Sequence, residues 1–171
     1  LDKKIDVYQL VNIKQIMTKK EYGNYFQYML LLEQVNDKLF KNIFNSELEN
    51  FMETASGDEL IKFVSRDSGC KDLFEKDAGI WEKWSVGQHS ACVIDFFNKY
   101  YSTSLPKSMH SIMKLILLSH DIGKGEAVKR GINQIKANEI YMNTLFDYLK
   151  VPVKIRKLVK FVVNDSQSYT S

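Results

Sequence analysis

Few residues in this 171-residue chain interrupt regular structure: it has only two prolines and eight glycines, so long stretches can run as unbroken helix. No apolar run approaches the eighteen or so residues that span a bilayer, and no membrane association is expected. The start, Leu1-Asp2-Lys3-Lys4, is not that of a secretory signal, and the missing initiator Met reads as an excised or processed piece. Only two cysteines are present, without metal-type spacing. They fit a reduced, cytoplasmic setting, with Cys92 read as a small core residue on an apolar helical stripe. Charge of one sign is also scarce. The net charge is +3, and the basic residues at Lys19-Lys20 and between Lys154 and Lys160 form no dense run with aromatics between them. A nucleic-acid partner is therefore not expected.

What is present is a 44% hydrophobic composition with helical periodicity almost throughout. The expectation is an all-α helical bundle. Helices are predicted over Ile5–Thr18 and Asn24–Phe44, then a short one capped by Ser46 and another starting at Asp58. Ser65 to Gly79 reads as polar and turn-rich, and the softest boundary falls there. It divides an N-terminal helical segment (1–80) of unassigned role from a helical core (81–171), unless the two form one continuous domain. Ser85-Val86-Gly87-Gln88 is a capping box that opens a helix to about Tyr101. Pro106 can begin the next, which carries Ile112, Leu115, Ile116 and Leu117 and ends near His120. Gly123 and Gly125 then break the pattern. Further helices are expected over Asn133–Leu149 and from Pro152 to Asp165.

Three polar positions lie on stripes that should face the core. His89 precedes Val93 and Phe96, His120 follows Met113, Ile116 and Leu117, and Asp165 follows Leu158, Phe161 and Val162. A carboxylate turned into apolar surroundings is costly unless it is paired or bound to a cation, and buried imidazoles need partners. Taken singly, an inward histidine is more often a hydrogen-bonded core residue, and Asp165 could pair with Arg156 or Lys124. One metal would satisfy all of them together. In His120-Asp121-Ile122-Gly123-Lys124, a nitrogen and an oxygen donor stand side by side where a helix ends. Gly123 permits close backbone approach, and Lys124 offers a mobile positive charge.

With His89 in VGQHSACV, the doublet in LLSHDIGKG and Asp165 in KFVVNDS, residues 84–168 resemble the HD superfamily of metal-dependent phosphohydrolases. The resemblance implies an HD-type helical core with the metal between helices, and His89, His120, Asp121 and Asp165 as its ligands. It implies a small-molecule phosphate ester as substrate, a nucleotide above all. Lys124 would contact phosphate, with Lys129 and Arg130 as helpers, and Asp121 and Lys124 would carry the catalysis. Two imidazoles and two carboxylates suit one divalent transition ion, Mn, Fe, Co, Ni or Zn, rather than calcium. Many family members carry another histidine after the doublet. This chain has Gln134 and Asn138 there and only three histidines in all, so a two-metal centre is not expected. His110, ten residues before His120 on the same helix, is too distant to help. Glu126 could serve as general base or orient a water, or could be a solvated loop residue. The alternative is a catalytically silent module of the same type that binds a nucleotide or docks a partner.

Overall fold

The computed structural model describes residues 43–79 and 83–167, with side chains described through Asn164. The two predicted N-terminal helices lie outside the described residues, apart from Ile43 and Phe44, which form a buried bend. The chain is all-α. Among the described residues no strand forms, and one isolated bridge joins Asp77 to Ser85. No helix among them is long and apolar enough to cross a membrane.

The helices are α1 (Ser46–Thr54), α2 (Gly57–Val64), α3 (Ser68–Phe74), α4 (Val86–Tyr100), α5 (His110–Ser119), α6 (Lys124–Arg130), α7 (Gln134–Tyr148) and α8 (Val153–Gln167). Local chemistry sets their starts. Asn45, rather than Ser46, caps α1 by accepting from the Leu48 N–H. Ser56 and Glu59 form a complete capping box ahead of α2, two residues before the expected start at Asp58. The predicted box at Ser85 and Gln88 opens α4, and the Asn133 side chain caps α7. Pro106 introduces not the long helix itself but a 3-10 turn (Lys107–Met109), after which α5 begins at His110.

Two helices occupy segments that the sequence reading assigned to loops. Asp67 accepts from the Cys70 N–H and starts α3 in the supposedly turn-rich stretch. α6 runs straight through Gly125. That glycine is not a breaker but a clearance, because a Cβ there would stand 2.4 Å from the Lys76 Cβ.

α5 is the axis of the fold. All ten of its residues are buried, as expected of a helix covered on every side. α4, α7, α8 and α1 pack against it. One hydrophobic core runs from Ile43 through Leu60, Phe74, Ile94, Ile116 and Phe146 to Val163, across the segment where the sequence placed its softest boundary. α2 lies close on α4, where Gly57 meets the backbone of Ala91 with no room for a Cβ.

Lys114 on α5 is fully buried. Its ammonium donates to the carbonyls of Glu53 (3.0 Å) and Ala55 (2.8 Å), satisfying the end of α1. Burial lowers its pKa to about 8. His110 does not approach the doublet; its Nε2 lies against the carbonyls of Ser102 and Leu105 and its ring edge meets Phe97.

The cysteine reading is reversed. Cys92 is exposed, and Cys70 is the buried thiol, pushed up to about 12 by desolvation and by Asp67. The face that α4 buries runs through Val86, Ser90, Ile94 and Phe97, so Cys92 and Phe96 (42% exposed) fall outside it.

Candidate metal centre

His89 sits one turn into α4, on the flank of its buried face, with 20% of its side chain exposed. His120 is the residue at which α5 ends, and Asp121 follows it in the turn leading to α6. The Nδ1 of His120 lies 2.6 Å from the carbonyl of Leu117. A carbonyl can only accept, so Nδ1 carries the proton and Nε2 offers its lone pair. That lone pair points at His89 and Asp121. His89 Nε2 is 3.3 Å from His120 Nε2 and 3.3 Å from Asp121 Oδ2, and the third side, His120 Nε2 to Asp121 Oδ2, is 3.7 Å.

This triangle can be tested against an ion. Donor atoms about 2.1 Å from one cation stand about 3.0 Å apart at a right angle and about 3.4 Å apart at a tetrahedral one. The point equidistant from the three observed atoms lies about 2.0 Å from each, within the range for nitrogen and carboxylate ligands of zinc. Among the described residues, these are the three whose ligand atoms cluster in this way.

The protonation states also suit a metal. Desolvation lowers the pKa of His120 and keeps it neutral. Burial alone would raise the carboxyl of Asp121, but the hydrogen bond from His89 and the nearby positive charge of Lys124 hold it well below the usual carboxylate range. A neutral imidazole and an ionised carboxylate are the forms that ligate.

Two residues of α7, one turn apart, hold the turn in place. Asn138 is fully buried; its Oδ1 accepts from the Gly123 N–H (2.8 Å) and its Nδ2 donates to the His120 carbonyl (2.8 Å). Gln134 Nε2 donates to Asp121 Oδ1 at 2.8 Å, leaving Oδ2 toward the imidazoles. Gly123 allows this approach, since a Cβ there would lie 2.5 Å from backbone atoms of Ala137 and Asn138.

Of the sequence-predicted site residues, His89, His120 and Asp121 are brought together, and Lys124 lies beside them with Nζ 3.5 Å from Asp121 Oδ2. Asp165 is on α8, but its side chain lies outside the described residues. Arg156, one of its two candidate partners, pairs with Asp147 and donates to the carbonyls of Phe146, in the last turn of α7, and of Val151 just beyond it.

Glu126 is neither a solvated loop residue nor free to take up a proton. It is buried on α6 between Lys76 (2.9 Å), Arg130 (2.8 Å) and the Tyr141 hydroxyl (3.2 Å), and the bonds from Lys76 and Arg130 lower its pKa to about 2. Arg130 is thereby committed to Glu126, and Lys129 is exposed on the same helix.

Sequence reasoning passed over Lys76, and it noted Gln134 and Asn138 only as non-histidines after the doublet, with no role. For the last two a signal existed: amides four apart on the helix after the doublet share one face. No family model, curated protein or solved structure matches the chain.

Proposed function

We propose that this protein is a metal-dependent phosphohydrolase acting on a nucleotide or a related small phosphate ester, with one divalent transition ion held by His89, His120, Asp121 and Asp165. The observation that supports this reading is the convergence of two imidazole nitrogens and a carboxylate oxygen, from two separate segments, on one ion-sized triangle. A divalent ion bound there would act as a Lewis acid toward a phosphoryl oxygen and would lower the pKa of a coordinated water toward neutrality.

The chain's own residues divide the remaining work. His120 presents a lone pair because Leu117 fixes its tautomer, and Asp121 supplies the negative charge that anchors the cation. Lys124, half-buried at the first position of α6, now shares the charge of Asp121. With substrate present it would turn to the non-bridging phosphate oxygens, where a mobile ammonium stabilises developing charge.

A panel of nucleotides and simple phosphoesters, assayed with Mn²⁺, Fe²⁺, Co²⁺, Ni²⁺ and Zn²⁺, tests the proposal. Multiple-turnover phosphate release by the parent, lost in Asp121→Ala with the helical circular dichroism retained, is the expected result. Turnover by Asp121→Ala at the parental rate would refute it. Nucleotide binding without turnover across the whole panel would instead assign the chain as a silent binding module.

A further inference from the structure

We infer that Gln134 is a positioning residue that caps the second oxygen of Asp121 and so restricts the centre to a single ion held by one carboxylate oxygen. This inference rests on the metal reading above. A carboxylate can serve one ion through one oxygen, chelate it through both, or bridge two ions. The last two modes need a lone pair of each oxygen to face an ion, and an amide hydrogen bond takes one of the two lone pairs of the oxygen that accepts it. Here Oδ1 accepts the amide N–H of Gln134 at 2.8 Å, while Oδ2 faces His89 Nε2 at 3.3 Å.

The amide cannot easily drift away. Gln134 is the first residue of α7, one turn before Asn138, whose bonds to Gly123 and His120 lock that face of α7 to the turn carrying Asp121. The amide is neutral, so Gln134 orients Asp121 without adding charge to the centre. Hydrogen bonds of this kind to a ligand carboxylate typically affect metal affinity by about 10- to 100-fold.

The test is a Co²⁺ titration of the full chain and of Gln134→Met, which preserves length and helix propensity but removes the donor. Elemental analysis gives ions per chain, competition with a chromogenic chelator gives affinity, and the visible spectrum of the loaded protein reports the ligand field. The parent should bind one Co²⁺. Gln134→Met should keep the parental circular dichroism, bind Co²⁺ about 10- to 100-fold more weakly and show an altered visible spectrum, a change that a loss of packing alone would not produce. Parental affinity and spectrum in the variant, or a second ion in the parent, would overturn the role of Gln134 and leave the metal centre standing. No bound Co²⁺ in the parent would overturn both.

Discussion

Replacing Gly123 by alanine should damage stability and metal binding together, because one atom would disturb both. The backbone at Gly123 has φ −90° and ψ −3°, which any residue can adopt, so the cost is steric rather than conformational. The added Cβ would stand 2.5 Å from the Ala137 carbonyl carbon and from the Asn138 nitrogen, and 2.8 Å from the Ala137 oxygen. These are backbone atoms of α7 and cannot swing aside, so the turn must lift. Overpacking of this kind costs about 1–3 kcal/mol. Lifting the turn also breaks the 2.8 Å bond from the Gly123 N–H to Asn138. Because Asn138 is fully buried, an unmet polar group adds about 1–3 kcal/mol. The thermal midpoint should fall on the order of 10 °C.

Co²⁺ affinity measured at low temperature, where the variant is still folded, should fall as well, since Asp121 moves with the turn. Met52→Ala is the control. It empties a fully buried position on α1, a helix that carries none of the site residues, at a cost of about 2–5 kcal/mol, and should keep parental affinity. A Gly123→Ala protein with the parental midpoint, or one that is destabilised yet binds Co²⁺ as the parent does, would refute this coupling.

Glu126, held near a pKa of 2 by its bonds from Lys76 and Arg130, stabilises the fold above its ordinary value of 4.5 and loses that contribution as pH falls toward 2. The stability gap between the parent and Glu126→Gln in urea titrations should therefore be full at pH 6 and close in acid. Lys114 has a dependence of the same sign in a higher pH window. With its pKa lowered by burial from 10.5 to about 8, the unfolded chain holds more protons between those values and stability rises with pH there. The parent should gain on Lys114→Met between pH 7.5 and 9.5, and a constant difference would contradict the assignment. A thiol-reactive chromophore should label one site on the folded protein, lost in Cys92→Ser, with Cys70 reacting only after unfolding.

Much of the architecture is legible in the sequence because helix periodicity and capping are local. The box at Ser85 and Gln88 and the span of α7 could be read from neighbouring residues alone. Where the reading missed, a long-range contact decided. Gly125 is accommodated within α6 because Lys76 fills the space beside it, and Glu126 became a buried anchor because Lys76 comes from a different segment.

Cys92 was misplaced for a related reason. The stripe through His89, Val93 and Phe96 has helical spacing, yet α2 docks on α4 at Ala91 and turns the buried face away from Phe96. The site followed the same rule. His89, His120 and Asp121 were visible as polar residues beside apolar stripes, whereas the amide bond from Gln134 depends on how α7 crosses the turn.

The most direct test is anomalous scattering from a crystal of the parent protein grown with Mn²⁺ or Co²⁺. A single peak about 2.0–2.2 Å from His89 Nε2, His120 Nε2 and Asp121 Oδ2 is the predicted result. A well-ordered crystal with these three side chains in place and no peak between them would contradict the account.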